Sequence, residues 1–153
     1  MKADNLGKYI SLLYRYSQIY FNTALKRYQL GSGQYIFLLS LLENEGINQE
    51  QLAELVKIDK TTTARAVAKL VEAGYIARET SPHDRRAYIL HTTGKTRAIE
   101  KELEECIDAW YDPMLEGLSN TEREQLHALL RHATNNVVEN ERIAKRRRKM
   151  RGF

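Results

Sequence analysis

One stretch constrains this chain more than any other. It runs from Ile47 to Thr93, INQEQLAELVKIDKTTTARAVAKLVEAGYIARETSPHDRRAYILHTT. Asn48 with Gln51 has the spacing of a capping box, in which each side chain satisfies the other's free backbone amide. Leu52, Ala53 and Val56 then form one apolar stripe. Lys57-Ile58-Asp59 interrupts it, and Asp59 is placed to cap a second helix through the amides near Thr61 and Thr62. In that helix Ala66, Val67, Leu70 and Val71 share the core side, while Lys60, Thr61, Thr62, Arg65 and Lys69 fall mostly on the other. After Gly74, a C′ glycine by position, the apolar period changes to two. Residues 75–80 and 87–92 read as two strands. Ser81-Pro82-His83-Asp84 supplies turn chemistry between them.

A short helix crossing another, with hydroxyls and cations toward its N-terminus, has the shape of a major-groove reader. Thr61, Thr62 and Arg65 are suited to base edges, and Lys60 and Lys69 to phosphates. At the ribbon tip, Arg85 and Arg86 are suited to a narrow minor groove, where the potential is most negative. Asp84 carries the wrong sign for phosphate, so its expected work is to orient Arg86 by a charge-assisted hydrogen bond.

These residues resemble the MarR family of winged-helix transcriptional regulators, and the resemblance covers nearly the whole chain. Asp84-Arg85-Arg86, followed by Leu90, Thr92 and Gly94, is similar to the family's D-x-R…L-x-T-x-x-G wing pattern, with a shorter interval before Gly94. Leu30-Gly31-Ser32-Gly33-Gln34-Tyr35 resembles the family's approach to its second helix, and Leu118-Ser119-Asn120-Thr121-Glu122 its approach to the last. Lys57 departs from the pattern, because helix-turn-helix turns often place glycine there. The resemblance implies a regulator that binds DNA and, in many members, senses aromatic acids.

The implied fold is mainly α with a small β-wing: a winged helix-turn-helix domain over residues 31–96 and a helical dimerisation region over 1–30 and 97–144. A basic tail occupies 145–153. Charge follows this division. Residues 60–96 carry seven basic and three acidic groups, residues 97–144 five and eleven, and residues 145–153 six and none. Positive charge therefore lies on the second helix of the motif, the wing and the tail, the footprint a polyanion requires. The tail reads as a disordered arm, as an extension of the last helix adding phosphate contacts, or as a clasp on the acidic region of a dimer.

The first helix is expected over Leu6–Tyr28, with Leu6, Ile10, Leu13, Ser17, Tyr20 and Ala24 in a heptad-like stripe. Ile99, Leu103, Cys106, Ile107, Trp110 and Met114 mark a long fifth helix, which Pro113 should kink near Ala109 and Trp110. Ser119 and Glu122 form a second capping box, and Leu126, Leu130, Ala133 and Val137 line the last helix. These stripes are too long for a small winged domain to cover, which points to a two-fold homodimer. Two recognition helices then suit a palindromic operator with half-sites about one helical turn apart.

Eight of the 13 aromatic residues fall within the first 37 positions. Tyr16, Tyr20, Tyr35 and Trp110, with Arg15 as the nearby cation, are the candidates to line an effector pocket for a small aromatic acid. Ordinary packing is the competing reading of the same rings. No glycine-rich phosphate loop, H-E-x-x-H or cysteine pair appears, so no enzyme, metal site or cofactor is expected. Cys106 sits on an apolar stripe and reads as a packed thiol. His83, His91, His127 and His132 form no recognised ligand spacing; His127 with Glu124 and His132 on one helix is a weak metal hint, against which solvent-facing or packing histidines are the favoured reading. No apolar run approaches the roughly 18 residues of a membrane span and no signal peptide opens the chain, so the cytoplasm is the expected location. The functional expectation is a dimeric, sequence-specific double-stranded DNA-binding regulator, a repressor released by a small ligand. The alternative is a general architectural DNA-binding protein without effector.

Overall fold

Apolar periodicity, capping chemistry and three glycines in left-handed backbone set the order of elements in the computed structural model, which describes residues 4–151. Helix α1 spans Asp4–Ala24, α2 Tyr35–Glu43, α3 Gln49–Val56 and α4 Lys60–Glu72. Strand β1 is Ile47–Asn48, β2 Ile76–Thr80 and β3 Tyr88–Thr92. Helix α5 spans Gly94–Met114 and α6 Asn120–Arg151. The chain divides after Trp110 into two compact units. Among the described residues, no helix is long and apolar enough to cross a membrane.

The ribbon expected from the sequence is a three-stranded antiparallel sheet of order β1-β3-β2. Ile47 pairs with Leu90 and Asn48 with Ile89, so the short β1 adds an edge to β3. Two residues are too few to show a period of two, which is why β1 does not announce itself in sequence. Both longer strands begin one residue later than expected. Tyr75, read as strand, instead completes the end of α4. Its amide donates to Leu70 O at 2.9 Å and the Gly74 amide to Val71 O at 3.0 Å. That is a Schellman ending, with Gly74 at φ +79° and the apolar pair Leu70 and Tyr75 both buried beneath it.

The first helix also differs from expectation. It ends at Ala24, and a tighter 3-10 turn follows over Lys26–Tyr28. The Tyr28 amide donates to Leu25 O at 3.0 Å and the Leu30 amide to Leu25 O at 3.2 Å. This winding buries both Leu25 and Leu30, which a continuous helix would place on different faces. Fifth-helix Pro113 is the penultimate residue of α5, so the helix passes through Ala109 and Trp110 in α form and ends soon after the proline.

The core lies in the first unit. Phe21, Leu25, Phe37, Leu38, Leu41, Leu52, Val67, Leu70, Tyr75 and Leu90 are buried, with Leu103 of α5 joining them. Each such side chain contributes about 1.5–3 kcal/mol by leaving water. Buried polar groups are paired: the Thr96 hydroxyl donates to Tyr75 O at 2.5 Å, and the Tyr75 hydroxyl to Tyr28 O at 2.8 Å. The Lys95 ammonium donates to Ala73 O at 2.7 Å and lies 4.4 Å from the Tyr75 ring centre. These contacts tie the start of α5 to the end of α4.

Candidate nucleic-acid interface

The supporting helix α3 is capped as its sequence requires. Asn48 Oδ1 accepts from the Gln51 amide at 2.8 Å, and Gln51 Oε1 from the Asn48 amide at 2.9 Å. The turn after α3 is made by Lys57 at φ +57°, ψ +33°. A lysine therefore takes the left-handed conformation that glycine adopts without strain, at a cost of roughly 1 kcal/mol. The turn is preserved although its usual residue is not.

Asp59 starts α4. Its Oδ1 accepts from the Thr62 amide at 2.9 Å and its Oδ2 from the Thr62 hydroxyl at 2.7 Å. The backbone amide and then the hydroxyl of Thr62 hold the Asp59 carboxyl below its ordinary value. Four side chains of α4 (Thr63, Ala66, Val67 and Leu70) are buried, and this anchors the helix by one face. Lys60, Thr61, Thr62, Arg65 and Lys69 are all exposed on the rest of its surface. Two of these five already have partners: the Thr62 hydroxyl serves the cap, and Lys60 Nζ pairs with Glu50 of α3. The Glu50 contact was not legible in the sequence, because ten residues and a turn separate the two.

The wing tip is equally ordered by its backbone. Ser81 N donates to Ala87 O at 2.8 Å and Ala87 N to Asp84 O at 3.0 Å. Asp84 Oδ1 accepts from the Arg86 amide at 2.9 Å. Asp84 thus positions Arg86 through its amide, as an Asx-type turn does. Arg85 and Arg86 are both exposed.

A polar network braces the wing at its root. Glu45, in the loop between α2 and β1, accepts from the Thr92 amide at 3.0 Å and also from the Thr92 hydroxyl. Arg97 Nη2 donates to Glu45 Oε1 at 3.1 Å. His91 stands between two carboxylates, with Nδ1 3.3 Å from Glu45 and Nε2 3.6 Å from Glu79. Partial burial pulls the Glu45 carboxyl upward, but the Thr92 hydrogen bonds, Arg97 and His91 outweigh it and hold the group below its ordinary value. No spacing rule links positions 45, 79, 91 and 97; the pairing of β3 with both neighbours brings them together.

The aromatic candidates separate into two sets. Tyr20, Tyr35 and Trp110 surround Phe21, with ring centres 5.2, 4.3 and 6.1 Å from it. Tyr20 also lies 5.5 Å from Trp110, and its hydroxyl donates to Cys106 O at 3.0 Å. Burial, then proximity to Cys106, raises the Tyr20 phenol above its ordinary value. Phe21 is the centre of the cluster and was not among the pocket candidates. Arg15 and Tyr16 are exposed on α1, outside this ring cluster. A recess of about 570 Å³ lies elsewhere, lined by Gln29, Leu30, Gln34, Lys69, Glu72 and Ala73.

Comparison with known proteins fits this geometry. The model of the MarR family matches residues 28–87. The chain is 34% identical to YybA, an HTH-type transcriptional regulator of Bacillus subtilis, over 76% of this chain and 77% of that one. It is similar in structure to a MarR transcriptional regulator of Methanosarcina mazei, with a TM-score of 0.79, 38% identity, and coverage of 89% of this chain and 98% of that one. A MarR-family regulator of Listeria monocytogenes, solved in complex with a 26-mer DNA, is 26% identical, with a TM-score of 0.81 and coverage of 87% and 89%.

Proposed function

Because this chain belongs to the MarR family of transcriptional regulators, we propose that it binds an operator in duplex DNA as a homodimer and represses transcription until a small ligand releases it. The observation that carries this reading is the exposed face of α4. Lys60, Thr61, Arg65 and Lys69 stand free of the core on a helix whose other face is buried. Arg65 and Thr61 are assigned to base edges in the major groove, and Lys60 and Lys69 to phosphates. Arg85 and Arg86 reach the adjacent minor groove from the wing. Thr62 contributes less directly, since Asp59 holds its hydroxyl.

Dimerisation is supported by apolar surface that a single copy leaves wet. Leu6, Tyr9, Ile10, Leu13, Tyr16 and Ile19 of α1 are exposed, as are Leu129, Leu130 and Val137 of α6. Exposed apolar residues recurring along a helix, on α1 and separately on α6, are what an interface would cover. A two-fold dimer presents two copies of α4 to a palindrome.

The effector is assigned to a planar aromatic acid. Its support is the ring cluster of Tyr20, Tyr35 and Trp110 alone, because Arg15 and Tyr16 lie exposed on α1 outside it. Tyr20, Tyr35 and Trp110 already pack on Phe21, so a ligand enters there by displacing a ring. It releases DNA only if its affinity differs between the two states.

The test is selection from a random duplex pool, repeated with aromatic acids at about millimolar concentration while Trp110 fluorescence is followed. Enrichment of a palindrome, lost together with a change in fluorescence, is the expected result. Uniform binding of all sequences would favour an architectural protein. Enrichment that no acid alters would leave a regulator without this effector.

A further inference from the structure

The last helix does not stop where its apolar residues stop. Helix α6 continues without a break through Lys145-Arg146-Arg147-Arg148-Lys149 to Arg151, so residues 145–151 of the basic tail are helical. Six of the seven residues from 145 to 151 are basic. Successive residues step about 100° around a helix, so these cations circle the axis rather than line one face. Lys145, Arg146, Arg147, Arg148 and Lys149 are all exposed, and no ion pair among the described residues involves them. The single apolar residue among them, Met150, is 79% exposed.

We propose that residues 145–151 of α6 form a second DNA-binding element, which grips the phosphate backbone of duplex DNA without reading its sequence. This rests on the reading of the chain as a DNA-binding regulator and adds a contact outside the winged domain. Charge complementarity selects the occupant. Lys145 and Lys149 are like charges four residues apart, which repel on an uncovered helix. A polyanion relieves that repulsion. A membrane surface is a poor occupant, because a helix lying on lipid needs an apolar face beside its cations. A packed protein interface is equally poor, since such interfaces have apolar centres depleted of lysine. Duplex DNA needs neither. A helix rises about 1.5 Å per residue, so seven residues run about 10 Å along a duplex, enough to meet about two or three phosphates.

The experiment compares the full chain with a truncation lacking residues 145–153 and with the quintuple variant K145Q/R146Q/R147Q/R148Q/K149Q, which keeps a helix-forming sequence. Affinity for a selected site and for a random duplex is measured across a series of salt concentrations, with oligomeric state followed by sedimentation. Both variants should flatten the log–log salt slope by about two to three units per chain. They should also weaken both duplexes by the same factor, about tenfold or more at low salt. Superimposable slopes overturn the proposal, and they leave the regulator reading intact if the selected site is still preferred. A tail-dependent slope with no preference for any site supports the proposal and overturns sequence-specific reading instead. If the variants dissociate the dimer while the salt slope is unchanged, the tail clasps an acidic face of the second copy and the proposal fails.

Discussion

Glu50 on α3 holds the ammonium of Lys60 at the first turn of α4. The pair lies on the surface, with side chains 66% and 74% exposed. The hydrogen bond with Lys60, then its charge, lowers the Glu50 carboxyl, and the same contact raises the Lys60 ammonium. A cation assigned to phosphate is thus restrained by a carboxylate that itself repels phosphate. Glu50→Gln should therefore raise affinity for every duplex, by about two- to fivefold at low salt, with base preference unchanged. Filter binding on a selected and a random duplex checks this. A change in preference would place Glu50 or Lys60 at a base edge.

Division of labour on the interface gives a second expectation. Arg65→Ala should relax preference at one position in each half-site, weakening the selected site by roughly 5- to 100-fold. Lys69→Ala should weaken all sequences alike, because phosphates carry no direct base information. Arg86→Ala should do the same and reduce the salt slope by about one unit per wing. Competition binding against single-base operator variants separates these outcomes. Uniform losses for both Arg65→Ala and Lys69→Ala would contradict the roles assigned on α4.

The wing turn can be tested at Asp84. Its carboxylate oxygen accepts the Arg86 amide, so an amide oxygen can replace it. Asp84→Asn should bind DNA as well as the parent chain or better, because a charge that repels phosphate is gone. Asp84→Ala removes the acceptor and should weaken binding several-fold. If both variants lose affinity equally, the charge rather than the turn is what the wing needs.

Glu45 predicts a pH dependence. Its folded carboxyl lies below the ordinary value of 4.5. A carboxyl lowered by folding stabilises fully above its unfolded pKa and loses that contribution as pH falls through the folded one. Glu45→Gln should therefore cost on the order of 1 kcal/mol near neutral pH, discounted for the side chain's partial exposure. The gap between parent and variant should close as pH falls from 4.5 through the lower folded value. Thermal unfolding at a series of pH values measures the gap. A gap independent of pH would mean that shape, not charge, joins this loop to the wing.

Local chemistry was legible in the residues alone. Asn48 with Gln51, Asp59, Ser119 with Glu122, and Gly74 each mark a helix end, because a cap is settled within three or four residues. The exposed and buried faces of α4 follow from its period for the same reason. Contacts between distant positions were decided by the tertiary structure. β1 exists because Ile47 and Asn48 meet β3, and its two residues carry no pattern of their own. Lys57 adopts a left-handed turn that its side chain disfavours, since the packing of α3 against α4 outweighs a local cost of roughly 1 kcal/mol. Phe21 gathers Tyr20, Tyr35 and Trp110 from three separate helices, and Glu50 meets Lys60 across a turn. Side-chain periodicity reports which face of an element is apolar. Which partner meets that face depends on how the chain closes on itself, and short-range spacing carries no record of that.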